Sequence, residues 1–217
     1  MRVEIFSDVV CPWCYVGMAR FDAALASFEH HAGVEVVHRS FELDPTPTDR
    51  PTDVLTMLAA KVGGSRADAA RMEAGVAEAA RGAGLPYAVS EPDGFARRHG
   101  NTFAIHRVLH LAGELGVRDR ATRAVMRAHF GGEAEIFERP ALLDLLADAG
   151  VDRDRAAQVL DSDAYAVDVR ADEQLARDLG ISAVPTFVFN RRFGVSGAQP
   201  PEELRQALER AWRLPEC

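Results

Sequence analysis

The sequence predicts an α/β fold in which a β-α-β unit and a later β-β-α unit bracket a long, purely helical stretch. Three observations carry this. Residues 2–6, "RVEIF", and 34–43, "VEVVHRSFEL", are rich in β-branched and aromatic residues and flank a segment of helical periodicity. From 54 to 180 the apolar residues recur at helical spacing with no strand-like run between them. "AVPTFVFN" and "RRFGVSG" then restore strand character, and an amphipathic helical pattern closes the chain.

Taken in order, the first helix is expected over 11–30, with Pro12 in the first turn, where a missing N–H does no harm, and Gly33 beyond its end. A strand–helix–strand unit of this length calls for a right-handed crossover. "DPTPTDRPTD" is a turn-rich linker. Helices follow at 54–62, closed by Gly63-Gly64, and at 65–81, where Ser65 is the expected cap. After the loop "GAGLPYAVSEPDGFARRHG", Asn101 is placed to cap a helix that Gly116 ends. Further helices are expected at 118–130, 139–149, 152–160 and 162–179, and Gly180 stops the last. Asn190-Arg191 suits a tight hairpin turn. Pro200-Pro201 open the final helix, with Leu204, Ala207, Leu208 and Ala211 facing inward. The expected organisation is a core in two halves, 1–45 and 181–217, with a helical insertion over 46–180.

Composition bounds the function. The 217 residues carry 33 acidic against 25 basic side chains, a formal net charge of −8. That argues against nucleic-acid or anionic-membrane partners. No apolar run reaches the ~18 residues of a membrane span. Met1-Arg2 runs straight into "VEIF" with no leader pattern, so a cytoplasmic location is expected. Nothing in the sequence sets the assembly state, and a homodimer is compatible with it.

The chemistry concentrates at "SDVVCPWCYVGM", which holds two of the three cysteines, Cys11 and Cys14. A structural zinc site asks for four ligands, often as two such pairs or a pair with suitably spaced histidines. Here the third cysteine is Cys217 and His30-His31 are adjacent, so no metal is expected. A structural disulfide three residues apart removes little unfolded-state entropy and faces a reducing cytosol. A redox pair fits the setting. It follows a strand and opens a helix, where unpaired backbone N–H groups and the helix dipole favour thiolate over thiol at Cys11. Thiols of Cys-x-x-Cys pairs in such settings titrate between about 3.5 and 7.5 instead of about 8.5. Cys14, one turn along, is placed to attack a mixed disulfide on Cys11.

"DVVCPWCYVG", "SFELDP", "GNTFAIHRVLHLA", "GISAVPTFVFN" and "VSGAQPPEEL" together resemble the thioredoxin-fold DsbA family, and more narrowly its cytoplasmic FrnE-like branch. That branch is grouped with 2-hydroxychromene-2-carboxylate isomerases and kappa-class glutathione transferases. The resemblance implies a thioredoxin-like fold with a large helical insertion, and a protein thiol–disulfide oxidoreductase. It implies a cis Val184-Pro185 bond, Pro185 against the cysteine pair, and the Val184 main chain as a dock for extended substrate. Gly197 and Ala198 are expected in a neighbouring loop of the same cleft. No cofactor is implied, though glutathione fits as a co-substrate. The partner is a thiol- or disulfide-bearing protein or small molecule.

The isomerase and transferase relatives activate glutathione with a serine near the start of the first helix and lack paired thiols. Cys11 and Cys14 therefore shift weight to disulfide exchange. The alternative is a glutathione-dependent isomerase or transferase for a small aromatic or polyketide-like substrate. Trp13, inside the pair, is expected to cover the disulfide and contact substrate. Asp8 has two readings, a proton relay for Cys14 or a solvated turn residue. His106 either reaches the cleft from the insertion or is a satisfied, half-buried side chain. Cys217 either forms an intermolecular disulfide or lies in a frayed tail.

Overall fold

A computed structural model describes residues 1–46 and 50–214. Cys217 lies outside the described residues. The chain divides into two compact units, 1–43 with 168–217, and 44–167.

The first unit is built on a four-stranded sheet. Strand β1, Arg2–Ser7, pairs in parallel with β2, Glu35–Ser40, and antiparallel with β5, Thr186–Phe189. Strand β6, Phe193–Ser196, completes the sheet antiparallel to β5. The central place of β1 explains its near-continuous apolar run: Val3, Ile5 and Phe6 have no solvent exposure. Asn190 and Arg191 both take positive φ (48° and 55°), and the Arg192 N–H closes the turn on Phe189 O at 2.9 Å. The hairpin expected at Asn190-Arg191 is therefore a turn with two left-handed residues.

Helix α1, Pro12–Ala26, stops short of the expected residue 30, and a 3-10 turn at His31–Gly33 leads into β2. Phe21 of α1 stacks on Phe187 of β5 with centroids 5.2 Å apart. The closing helix α9, Pro201–Arg213, buries the expected Leu204, Ala207, Leu208 and Ala211. It also brings Trp212 against Phe28, centroids 5.9 Å apart.

Helix α8, Ala166–Asp178, falls almost wholly in this first unit, whereas the sequence reading put its residues in the insertion. The reason is visible in its partners. Ala176 packs with Phe6 and Val188, and Asp172 accepts hydrogen bonds from Arg39 and from the Ser40 N–H, both at 2.9 Å. Glu4, in mid β1, is buried between Arg39 and Arg191. Burial pushes its carboxyl up, but the two guanidiniums outweigh that and hold it below the ordinary carboxylate range.

The second unit is helical. Helix α2, Val54–Val62, is capped by Asp53 and ended by Gly63 at φ 66°. Helix α3, Arg66–Gly82, starts with a capping box between Ser65 and Asp68. Helices α4 (Phe103–Glu114), α5 (Arg118–Gly131), α6 (Arg139–Asp148) and α7 (Arg153–Leu160) follow. Two strands that the sequence reading treated as loop, β3 (Thr52–Asp53) and β4 (Arg98–His99), pair antiparallel. Each is two residues long, too short for a period to register. Thr102 occupies the cap position of α4, but the Asn101 side chain still accepts from the Phe103 N–H at 3.0 Å.

Candidate active site

The end of β1 feeds a tight turn in which the Cys11 N–H donates to the Asp8 carbonyl at 3.1 Å. The Asp8 carboxylate accepts from the Leu43 N–H at 2.8 Å. Asp8 is buried, so the solvated-turn reading is excluded. With the turn fixed, Cys11 becomes the residue that caps α1. Its Sγ accepts from the Cys14 N–H at 3.3 Å, so a sulfur stands where helices more often use an oxygen. Pro12 takes the first helical position.

The two sulfurs are not bridged in this structure and differ in their surroundings. Cys11 keeps 4% exposure and Cys14 none. Burial pushes the Cys14 thiol well above the usual range. A hydrogen bond and charge from Cys11 add to this, as does the Asp8 carboxylate, while a main-chain hydrogen bond from Asp8 opposes it. Cys14 is therefore held as a thiol behind Cys11. Trp13 stands 44% exposed beside the pair.

The Val184-Pro185 bond is cis. The Val184 carbonyl lies 3.6 Å from Cys11 Sγ, so this loop touches the leading sulfur. Pro185 rests on α1 at Gly17. A Cβ built on Gly17 would lie 2.8 Å from Pro185 Cγ and 3.4 Å from Ala198, so only glycine allows this approach. Gly197, at φ +85°, donates its N–H to the Pro185 carbonyl at 2.7 Å. The neighbouring Ala198 carbonyl accepts from the Arg20 guanidinium.

Residues 8, 11, 14, 184, 185, 197 and 198 thus assemble within the first unit. His106 belongs to α4 of the second unit, where it is 2% exposed. Gly17 and Arg20 were not among the site residues expected from the sequence. Both left a signal: a glycine inside a helix three residues after Cys14, and a cation within an otherwise apolar stripe.

A dithiol at the start of a helix, against a cis-proline loop on a β-α-β/β-β-α sheet, defines a thioredoxin-fold protein with a dithiol site. Residues 2–209 match the profile of the DSBA-like thioredoxin domain, and the chain belongs to that family of thiol oxidoreductases. It is similar to the crystal structure of a probable DsbA oxidoreductase from Streptomyces coelicolor, at 48% identity and TM-score 0.93, over 99% of this chain and 92% of that one. It shares its fold with the cytosolic disulfide reductase DsbM from Pseudomonas aeruginosa, determined with GSH. There the identity is 22% and the TM-score 0.65, over 99% and 100% of the two chains. It also shares its fold with a 2-hydroxychromene-2-carboxylate isomerase, at 16% identity and TM-score 0.70, over 98% and 97%. A 48-residue segment is 40% identical to the uncharacterized protein YwbO of Bacillus subtilis, covering 22% of each chain.

Proposed function

We propose that the protein is a thiol–disulfide oxidoreductase working through Cys11 and Cys14. The observation that carries this is the position of Cys11. Its sulfur accepts a helix N-terminal N–H and lies beside the carbonyl of the residue before the cis-proline. Backbone N–H groups at a helix start stabilise negative charge on sulfur, which is the nucleophilic form.

In the reducing direction, the Cys11 thiolate attacks one sulfur of a substrate disulfide. The S–S bond breaks, one substrate sulfur leaves as thiolate, and a mixed disulfide forms on Cys11. Cys14 loses its proton and attacks Cys11 Sγ. The second substrate sulfur is released, and the Cys11–Cys14 disulfide carries the two electrons' worth of oxidation. In the oxidising direction the steps run backwards, starting with a substrate thiolate on Cys11. Asp8, buried and coupled by charge to Cys14, is the group we assign to the proton that Cys14 gives up.

The Val184 main chain, Trp13, Gly197 and Ala198 form the substrate-facing edge. The substrate is a thiol- or disulfide-bearing protein or small molecule, with glutathione as a co-substrate in place of a bound cofactor. We place the activity in the cytoplasm. The fold shared with a cytosolic disulfide reductase is compatible with this, and among the described residues no helix is long and apolar enough to cross a membrane.

The test is turnover of a peptide disulfide by wild type, Cys11→Ser and Cys14→Ser. Loss of exchange in Cys11→Ser and a trapped mixed disulfide in Cys14→Ser support the proposal. Exchange that survives Cys11→Ser overturns it. So does glutathione-dependent turnover of a small aromatic substrate that survives Cys14→Ser, which would establish the isomerase or transferase reading instead.

A further inference from the structure

We infer that Arg20 is a positioning residue that sets the affinity for extended substrates by pinning the 197–199 loop against α1. The inference rests on the oxidoreductase reading, in which the cis-proline edge docks substrate.

Arg20 sits on α1, six residues beyond Cys14, and is half-buried. Its one hydrogen-bond partner among the described residues is the carbonyl of Ala198. The loop it holds is tied to the cis-proline next door through the Gly197 N–H on the Pro185 carbonyl. The loop's other polar ties are internal: the Gln199 N–H reaches the Gly197 carbonyl at 2.9 Å, and the Gln199 amide reaches the Ser196 carbonyl at 2.8 Å. Those bonds shape the loop but do not fix it to the helix. Attachment to α1 comes from the packing at Gly17 and from Arg20.

The direct contacts at Cys11 do not include Arg20. The Cys11 sulfur is set by the Cys14 N–H and lies against Val184, and Pro185 is held by contact with Gly17. Removing the Arg20 guanidinium frees the Ala198 carbonyl and the loop around it, leaving the sulfur's own partners in place. The consequence is selective. A long substrate that spans both the cis-proline and the 197–199 loop loses part of its dock, whereas a small disulfide that meets only Cys11 does not.

The experiment compares wild type, Arg20→Met and Arg20→Lys in full-length protein. The substrates are a fluorogenic peptide disulfide, turned over with glutathione as reductant and corrected for the enzyme-free rate, and the small aromatic disulfide 5,5′-dithiobis(2-nitrobenzoate), mixed with pre-reduced enzyme in the absence of any other thiol. A charge-assisted hydrogen bond corresponds to an effect of roughly tenfold at the low end of its range, the end that fits a loop still held by packing at Gly17. The expected result for Arg20→Met is a KM for the peptide raised about tenfold with kcat within about twofold. Reaction with the small disulfide should also stay within about twofold, and Arg20→Lys should fall between wild type and Arg20→Met. Equal losses on both substrates, or no change in peptide KM, overturn the inference. If Arg20→Met fails to fold, Arg20→Lys decides: a peptide KM raised by about two- to tenfold over wild type supports the clamp and an unchanged KM refutes it. A failure of the oxidoreductase reading would show separately, as exchange that survives Cys11→Ser on both substrates.

Discussion

Gly17→Ala places a methyl group where the structure has none to spare. The new Cβ would lie 2.8 Å from Pro185 Cγ, against an ordinary carbon–carbon separation of about 3.5–4.0 Å. Helix or loop must therefore yield by roughly 0.7 Å or more. Overpacking of this kind costs about 1–3 kcal/mol. Alanine inside a helix returns about 0.8–1 kcal/mol relative to glycine. The net is a loss of about 0–2 kcal/mol, or at most ~8 °C in Tm at 2–4 °C per kcal/mol for a chain of this size. The effect on activity is larger, because the group displaced is Pro185, beside the reacting sulfur. A shift approaching 1 Å at a docking edge costs up to about 10²-fold, so kcat/KM for a peptide disulfide should fall between about tenfold and a hundredfold. Gly75→Ala is the matched control: it lies inside α3 with nothing within 4 Å of its would-be Cβ. It should raise stability by about 0.8–1 kcal/mol and leave exchange unchanged. Thermal melts and peptide-disulfide kinetics on both variants decide the matter. If Gly17→Ala behaves like Gly75→Ala, gaining stability with full activity, the close approach of Pro185 to α1 is refuted.

Iodoacetamide at neutral pH should label Cys11 ahead of Cys14, since burial and the neighbouring sulfur push the Cys14 thiol up; peptide mass mapping checks this, and preferential labelling of Cys14 would contradict it. Glu4→Gln should lower stability at neutral pH by about 3 kcal/mol or less, because Arg39 keeps Asp172 as a partner and Arg191 is half-exposed. Because the folded carboxyl is held below the unfolded value of about 4.3, its contribution is full above that pH and fades as pH falls through the folded value. The variant should therefore show a flatter acid limb in denaturant titrations run from pH 6 to acid. Ser65→Ala removes the cap of α3 and should cost about 1 kcal/mol by urea unfolding, with no effect on exchange.

The alternation of strand and helix patterns was enough to read the sheet, the helices of the insertion and the cysteine pair at a helix start. The misplaced boundary at α8 has a physical cause. Its amphipathic pattern shows that one face is buried but not against what, and Asp172, which anchors it to β2, reads as a polar surface residue until Arg39 and the Ser40 N–H are seen to meet it. Asp8 shows the same gap. A carboxylate in a turn is ordinarily solvated, and nothing in "SDVVC" announces that the Leu43 N–H will come to it. The cis bond at Val184-Pro185 was reached through family resemblance, since proline before a strand is compatible with either isomer. Gly17 and Arg20 left signals, but both act on loops that are some 170 residues away in the chain, and only the fold joins them.

What joins them is a single helix. Cys14, Gly17 and Arg20 recur every three residues on α1, a spacing that advances about 4.5 Å along the axis at each step and drifts steadily around it. The row therefore runs obliquely, and the cis-proline and 197–199 loops lie along it: Pro185 and Ala198 both meet it at Gly17, and the Ala198 carbonyl also reaches Arg20. The same rod offers its first N–H groups to Cys11, hides Cys14 in its first turn, admits Pro185 at a missing side chain and holds the 197–199 loop with a cation. All of these groups come from residues 11–20 and 184–198, on either side of the helical unit in the chain. The chain leaves for that unit directly after Leu43, whose N–H is held by the Asp8 carboxylate. Asp8 thus ties the departure point of the helical segment to the cysteine turn, so a change at this carboxylate acts on the charge that Cys14 feels and on the backbone at residue 43 together.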